Sequence, residues 1–183
     1  KASHARFNPE AGIHSIKAAC EAIAALPQGH IDKETTANIG LLNGGEGINI
    51  VPSSCNIRGE IRSLNHEKAL ATAQQYRDTF QNSAEKYCAT LDWTQQIDIQ
   101  AYETSTEESI ISRYVAACGL CDVEPKLIKT FGGSDNNVFS QHGIKGLVIA
   151  NSMNNVHSCK EYANVYEMQK VIEVLRVLVT EIE

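Results

Sequence analysis

Residues 36–63, TANIGLLNGGEGINIVPSSCNIRGEIRS, decide the fold of the first half of the chain. Apolar and polar residues alternate imperfectly over Thr36–Leu42 and regularly over Ser54–Ser63, which predicts two strands, the second with one face in water. The glycine-rich run 43–47 predicts a loop between them, and residues 48–51 form a short extended piece that Pro52 ends. This stretch therefore predicts two strands joined by a glycine-rich loop.

One predicted helix precedes these two strands in the sequence, and another follows them. Pro9–Leu26 has apolar residues at helical spacing and begins with a proline, which suits the first turn of a helix. Asn65 is a favourable N-cap for a long polar helix over about His66–Ala89. Leu91–Tyr102 alternates again and predicts another strand. The order helix, strand, strand, helix, strand favours an α+β layer, with an antiparallel sheet covered on one face by two helices.

The rest of the chain has an α/β pattern with few strands. The predicted elements are a helix from about Ser105 through Cys118, a strand at Lys126–Thr130, a helix ending at Gln141, a buried strand at Gly146–Ala150 and a helix at Val165–Ile182. Two parallel strands cannot bury the faces of three helices by themselves. We therefore expect something else to supply the remainder of that sheet.

Composition and charge narrow the class of partner. The net charge of −6 and the isoelectric point of about 5.5 argue against a nucleic-acid-binding protein and against docking on anionic membranes. Apolar stretches such as Gly146–Ala150 are far shorter than the ~20 residues that a membrane-spanning helix needs. Six scattered cysteines are typical of proteins in the reducing cytoplasm, which is the predicted location.

His157 is the first candidate for chemistry. It lies in the polar loop 151–161, just after the predicted buried strand, and ligands of open α/β sheets bind beyond that end of the strands. A neutral imidazole nitrogen there can ligate Zn²⁺. The alternative is a surface or capping histidine in a polar loop.

The turn Gly132-Gly133-Ser134-Asp135 is the second candidate. It separates a predicted strand from a helix, where glycines let the backbone approach a ligand and helix N-terminal N–H groups favour anions. The alternative is that Ser134 or Asp135 is simply the N-cap of the helix.

Three residues of the first half are weaker candidates. Asn49 can hydrogen-bond a substrate or cap a turn. Arg62 can bind a carboxylate through its planar guanidinium, although a surface salt bridge is the commoner outcome. His4 alone is uninformative.

In order and spacing, these residues together resemble the M20 metallopeptidases. The sequences of the last two segments named below are most similar to those of the peptidase T-like tripeptide aminopeptidases. The segments that carry the resemblance are Lys1–Ala5 with Pro9–Ile16, Gly45–Pro52 with Arg62, Gly132–Phe139, and Asn155–Glu161.

The resemblance implies two domains. Residues 1–103 would be the lid, or dimerisation, domain, a four-stranded antiparallel sheet with two helices on one face and its first strand clipped. Residues 104–183 would be the C-terminal part of the catalytic domain, a partial α/β segment.

The resemblance also implies a function, a two-zinc peptidase that is a cytoplasmic homodimer and cleaves short peptides. A metal-bridging water attacks the peptide carbonyl, and a glutamate acts as general base. His157 matches the last metal ligand. His4 matches a catalytic histidine that reaches the partner protomer's active site and stabilises the developing oxyanion.

Substrate-binding positions follow from the same resemblance. Asn49 and Arg62 match lid residues that hold the substrate backbone or its C-terminal carboxylate. The Gly132–Asp135 turn matches a loop that lines the substrate cleft.

The departures from the family pattern limit what this chain can do. Of the five expected metal ligands only the match at His157 is present, and the general base is missing. Glu107-Glu108 is an acidic pair in the wrong half, where it suits the first turn of a helix. We therefore expect this chain alone to retain no zinc and to be inactive. The alternatives are a dimerisation or scaffold module that pairs through sheet edges, and a related carboxypeptidase or aminoacylase.

Overall fold

The structure is a computed structural model that describes residues 1–180 in two compact units. Unit 1 comprises residues 1–101 and unit 2 begins at Tyr102. Each unit has its own core and is described by itself. The assignment of residues 104–183 to a catalytic domain stays a prediction.

Unit 1 contains five strands and two helices. They are β1 (Ser3–His4), α1 (Ser15–Ala25), β2 (Gly29–His30), β3 (Thr35–Gly44), β4 (Ile50–Val51), β5 (Cys55–Ser63) and α2 (His66–Lys86). The two predicted strands are present as β3 and β5, which pair antiparallel along the whole of β5. β4 lies in the connection between them and pairs with β1.

The main sheet of unit 1 has three strands, in the order β2-β3-β5, so the expected four-stranded sheet is corrected. The predicted strand at Leu91–Tyr102 forms no ladder with any part of the chain that the structure describes. Of its alternating apolar residues, Leu91 and Trp93 pack against the core of unit 1, whereas Ile97 and Ile99 are exposed. What this segment lacks is a neighbouring strand.

A β-bulge divides the β3–β5 ladder near its middle. The pairing passes from Ile39↔Gly59 to Leu41↔Arg58, so Gly40 is the extra residue. The two backbones approach closely there, since a Cβ atom on Gly59 would lie 2.6 Å from the carbonyl oxygen of Asn38. Glycine at position 59 is therefore a packing requirement of the sheet.

The core of unit 1 lies between the sheet and its two helices. Its buried residues are Ala22, Leu26, Ala37, Tyr76 and Phe80. The only tryptophan of the chain, Trp93, packs on Phe80 with the ring centroids 6.2 Å apart. The hydroxyl of Ser83 donates to the carbonyl oxygen of Ala18 at 2.8 Å and joins α2 to α1 inside the core.

Both predicted helices are present, but α1 is shorter than expected. Pro9–Ala11 forms a short 3-10 turn, and the α-helix begins only at Ser15, after His14 accepts a hydrogen bond from the Lys17 N–H. The expectation for α2 is confirmed, because Asn65 Oδ1 accepts from the Lys68 N–H as an N-cap does.

Unit 2 is built from three helices and one small hairpin. Its elements are α3 (Ser109–Leu120), α4 (Asn136–Gln141), β6 (Met153–Asn154), β7 (Tyr162–Ala163) and α5 (Val165–Thr180). α3 packs on α5 around Ala117, Cys118, Val174, Val177 and Leu178. The end of the last predicted helix, at Ile182, lies outside the described residues.

The two strands expected in unit 2 are absent from the described residues, so the partial α/β assignment is corrected here. Segments 126–130 and 146–150 belong to no sheet of the described chain, and the strand pair of unit 2 is the antiparallel β6–β7 hairpin. An apolar run forms a strand only beside another strand, and unit 2 offers these segments none.

One face of α5 is apolar and exposed. Val174, Val177 and Leu178 are buried against α3, whereas a second stripe at helical spacing remains in solvent: Val165, Met168, Ile172, Leu175 and Val179. Such a stripe indicates a surface that unit 2 does not cover by itself. No helix among residues 1–180 is long and apolar enough to cross a membrane.

Candidate functional site

The predicted site residues divide between the two units. His4, Asn49 and Arg62 lie in unit 1, and the Gly132–Asp135 turn and His157 lie in unit 2. Within each unit the structure gives the surroundings of every one of these residues.

His4 is held at the end of β1 by its own backbone. Its Nδ1 accepts hydrogen bonds from the N–H groups of Arg6 at 3.1 Å and Phe7 at 3.3 Å. Because Nδ1 accepts both of these bonds, Nε2 is the ring nitrogen that is left to contact another group. The exposed ring of Phe7 lies beside it, with centroids 4.5 Å apart. These contacts therefore orient the His4 ring, and its catalytic role stays a prediction.

The structure brings His4 and Asn49 to the same corner of unit 1. The β1–β4 ladder pairs His4 with Ile50, the residue after Asn49. The Ala5 N–H donates to the Asn49 carbonyl oxygen at 2.9 Å. This contact fixes the backbone of Asn49 and leaves its exposed side chain facing solvent.

Arg62 lies apart from this corner. It pairs with Thr36 near the end of β5. Seven residues separate it from Cys55, where β5 begins, which corresponds to roughly 23 Å along the strand. Its guanidinium forms an ion pair with Glu60 at 2.9 Å, and both side chains are about half exposed. An exposed pair of this kind is weak, so Arg62 remains able to exchange Glu60 for another carboxylate.

The Gly132–Asp135 turn precedes α4, and its hydrogen bonds differ from the expected N-cap. Asp135 occupies the N-cap position without a side-chain bond. Instead, Asn137 Oδ1 accepts from the Ser134 N–H at 2.9 Å, and the Asn137 N–H donates to the Ser134 carbonyl at 3.0 Å. With six residues, α4 adds little dipole to attract an anion. Asn137 therefore fixes the turn, and the sequence pattern did not single out this residue.

Asn136 is a second buried amide next to this turn. Its Nδ2 is buried and has no hydrogen-bond partner within residues 1–180. Its side chain lies against Gly146, in the space that a Cβ atom on Gly146 would fill. The start of α4 and the segment at Gly146 therefore fit each other only because residue 146 has no side chain.

His157 is exposed at the tip of the β6–β7 hairpin, in a loop that is bonded to itself. Its N–H donates to the Glu161 carboxylate at 2.7 Å, and the Ser158 hydroxyl donates to the Asn155 carbonyl at 2.7 Å. Ser152, Asn155 and His157 all adopt positive φ angles. Non-glycine residues in that conformation are uncommon and are found preferentially at functional positions. The loop therefore holds the His157 imidazole outward.

His157 has no companion ligands in the described chain. No three histidine, cysteine, aspartate or glutamate side chains within residues 1–180 converge to hold a metal ion. The nearest carboxylate in its loop, that of Glu161, is engaged by the backbone of His157. One imidazole does not hold zinc, which takes three or four protein ligands, so these residues do not make a complete metal site.

Comparison with known proteins assigns the first part of the chain. Residues 1–88 match the family model of the peptidase dimerisation domain, M20_dimer. Over its full length the chain is also similar to the Bacillus subtilis (strain 168) protein YqjE, with 31% identity over 181 residues, which are 99% of this chain and 49% of YqjE.

Solved structures show the same relationship. Aminopeptidase PepT from Bacillus cereus ATCC 10987 is 32% identical, with a TM-score of 0.86 over 98% of this chain and 48% of PepT. A tripeptidase from Staphylococcus aureus subsp. aureus Mu50 has a TM-score of 0.87 at 23% identity, over 99% of this chain and 49% of the tripeptidase. Bacillus subtilis YxeP, described as a dinuclear metal-binding peptidase from the M20 family, shares the fold at 18% identity over 93% of this chain and 48% of YxeP, with a TM-score of 0.64.

The chain spans about half the length of each of these relatives. The family match covers most of unit 1, including His4, Asn49 and Arg62, and the structural matches extend through unit 2. Residues 1–88 therefore match the M20 peptidase dimerisation domain, and the fold of the whole chain matches about half of aminopeptidase PepT and of the tripeptidase.

Proposed function

We propose that this chain acts as part of a two-zinc peptidase of the PepT type, which hydrolyses short peptides in the cytoplasm. In this proposal unit 1 is the dimerisation lid and His157 supplies one metal ligand. By itself the chain is inactive. The relationship to aminopeptidase PepT supports the reaction class, and the isolated His157 supports inactivity of the chain alone.

The observation that carries this proposal is the geometry of the 155–161 loop. The hydrogen bonds of the loop lie within the loop and leave the imidazole exposed, and His157 belongs to no group of three or more candidate metal ligands within residues 1–180. A ligand that is oriented but alone fits a metal site whose other ligands come from elsewhere in the working enzyme. Zinc is the metal we propose, because imidazole and carboxylate together suit it.

Metal content is the measurement that tests His157. In the working dimeric enzyme, His157→Ala should lower the bound zinc below that of the unchanged protein and lower tripeptide hydrolysis with it. His142→Ala removes another exposed histidine of unit 2, at the C-cap of α4, and serves as the matched control. Unchanged zinc in His157→Ala would refute the ligand assignment. Two tightly held zinc ions on this chain alone would refute its inactivity.

A dimerisation module without catalysis is the second candidate, and the outer edge of β3 favours it. β2 pairs with β3 only at Thr36 and Ala37, so the later part of β3 has an open edge in the described chain, next to the exposed side chains of Leu41 and Leu42. An open edge with apolar side chains is a template for pairing with a second copy.

The oligomeric state tests this edge directly. Replacing Leu41 and Leu42 with lysine should convert a homodimer to a monomer in sedimentation velocity, because two buried charges per protomer oppose the contact. Leu120→Lys, at an exposed residue at the end of α3 and outside the apolar stripe of α5, is the control. A dimer that persists in the Leu41/Leu42 variant would mean that the contact lies elsewhere.

A further inference from the structure

The two most exposed large apolar side chains of residues 1–180 lie at one corner of unit 1. They are Ile48, with a relative exposure of 106%, and Phe7, with 79%. The Ala5 N–H donates to the carbonyl oxygen of Asn49 at 2.9 Å. Phe7 follows the first of these residues by two positions, and Ile48 directly precedes the second. Large apolar side chains are normally buried, so two of them exposed together indicate a surface that contacts a ligand.

The Phe7 ring is held in place although it lies in solvent. The Asn8 N–H donates to the His4 carbonyl oxygen at 3.1 Å and closes residues 4–8 into a turn. The Phe7 N–H donates to His4 Nδ1 at 3.3 Å, and the centroids of the two rings are 4.5 Å apart. A side chain that is already held loses little conformational entropy when it binds, so Phe7 is preorganised for contact with a ligand.

The polar groups at the same corner suit a peptide backbone. Nε2 is the His4 ring nitrogen that is left to contact another group. The exposed side-chain amide of Asn49 both donates and accepts hydrogen bonds, as a peptide group does. These two groups and the two apolar side chains together match a peptide group that has an apolar side chain beside it.

We propose that Phe7 and Ile48 determine substrate specificity, by binding the apolar side chain of a residue next to the scissile bond. This inference rests on the proposed function, in which unit 1 is the lid of a peptidase, and on the predicted role of His4 at the reacting carbonyl. The side chains on either side of a scissile bond begin only a few covalent bonds from that carbonyl. A ring in contact with His4 is therefore within reach of them. The preferred substrates are short peptides with an aliphatic or aromatic residue at one of these two positions.

The size of the apolar surface favours a small ligand over a second protein. Two side chains expose at most roughly 500 Å² together, whereas a stable protein interface buries roughly 800 Å² on each partner. One leucine-sized side chain needs far less area than that. The corner therefore fits a single substrate side chain better than another folded surface.

The experiment compares three peptides as substrates of the working dimeric enzyme. Triglycine has no side chain, whereas leucylglycylglycine and glycylleucylglycine place one on either side of the first peptide bond. For at least one leucine peptide, Phe7→Ala should lower kcat/KM about tenfold relative to that for triglycine, because an apolar contact partly open to water lies at the low end of hydrophobic discrimination. The loss should come mainly from KM. Ile48→Ala should lower the same ratio less, since Phe7 is the residue in contact with His4.

Two further variants serve as controls. Phe7→Leu keeps an apolar side chain and should retain most of the preference for leucine peptides. Ile97→Ala removes a different exposed isoleucine of unit 1 and should leave the ratio unchanged.

The outcomes separate this inference from the proposed function. An equal fall in kcat/KM for all three peptides in Phe7→Ala would mean that Phe7 only positions His4, and would overturn the inference. A ratio that does not change in an active enzyme would overturn it as well, and would leave the proposed function standing. If the unchanged enzyme cleaves none of the three peptides, the proposed function fails and this inference fails with it.

Discussion

The close approach of β3 and β5 at the bulge makes Gly59→Ala the sharpest test of the structure of unit 1. The new Cβ atom would lie 2.6 Å from the carbonyl oxygen of Asn38 and 3.3 Å from the Cα atom of Ile39, both backbone atoms that cannot rotate away. Overpacking of this kind costs about 1–3 kcal/mol. The lower backbone entropy of alanine returns about 0.5–1 kcal/mol. We expect a net loss of about 1.5 kcal/mol in the free energy of unfolding.

Urea unfolding followed by Trp93 fluorescence measures this loss. Trp93 is the only tryptophan and lies on the core of unit 1, so its emission reports the unfolding of that unit. With an m-value of about 1.5 kcal/mol/M, the midpoint should fall by about 1 M.

Gly40→Ala is the matched control for this experiment. Its new Cβ atom would meet only the Asn38 side-chain amide, at 3.3 Å, and that side chain can turn away. Its midpoint should change little. A Gly59→Ala midpoint equal to that of the unchanged protein, or an equal fall in both variants, would refute the argument from close approach.

Two further predictions concern the contact between α1 and α2, and both use the same fluorescence signal. Ser83→Ala should lower the free energy of unfolding by about 1–3 kcal/mol, because the buried carbonyl of Ala18 loses its hydrogen bond; Thr72→Ala, on the exposed side of α2, should change it far less. Glu21 accepts hydrogen bonds from Lys86 and Tyr87, which hold its pKa below the ordinary value. Its stabilising effect is therefore present above the unfolded pKa of about 4.3 and is lost as the pH falls through the lower folded value. The difference in midpoint between Glu21→Gln and the unchanged protein should shrink on acidification, and a difference that does not vary with pH would contradict this.

The elements that the sequence predicted well are those whose determinants are local. α2 begins where Asn65 caps it, and β3 and β5 follow their alternation. α1 was predicted too long, because Pro9 opens a 3-10 turn and not the α-helix itself. The choice between these two helix types depends on tertiary contacts such as the Ser15 N–H to the Pro52 carbonyl, which periodicity does not contain.

Strands were the main source of error. Alternation over residues 91–102 and the apolar run 146–150 describe which side chains avoid water, but a strand also needs a hydrogen-bonded neighbour. That neighbour is remote in sequence, and within the described residues it is missing for both segments. The alternation therefore marked Leu91 and Trp93, which do pack on the core, but it also marked the exposed Ile97 and Ile99 and predicted a strand that has no partner in the described residues.

For the candidate site too, the sequence predicted where residues lie along the chain but not which contacts they make. The loop position of His157 could be inferred from the sequence, whereas its positive φ angle and its bond to Glu161 could not. The pairing of β1 with β4, which places His4 near Asn49, joins residues more than forty positions apart. No local pattern marks such a contact.

The fit between Asn136 and Gly146 constrains how this protein can evolve. Any side chain at position 146 would enter the space of the Asn136 amide, so a change at Gly146 is tolerated only after Asn136 has become smaller or has moved. The two positions are thus epistatic, and the order of the substitutions matters. Lineages that keep asparagine at 136 should keep glycine at 146, and in a combinatorial library of the two positions every folded protein with a side chain at 146 should carry a residue smaller than asparagine at 136.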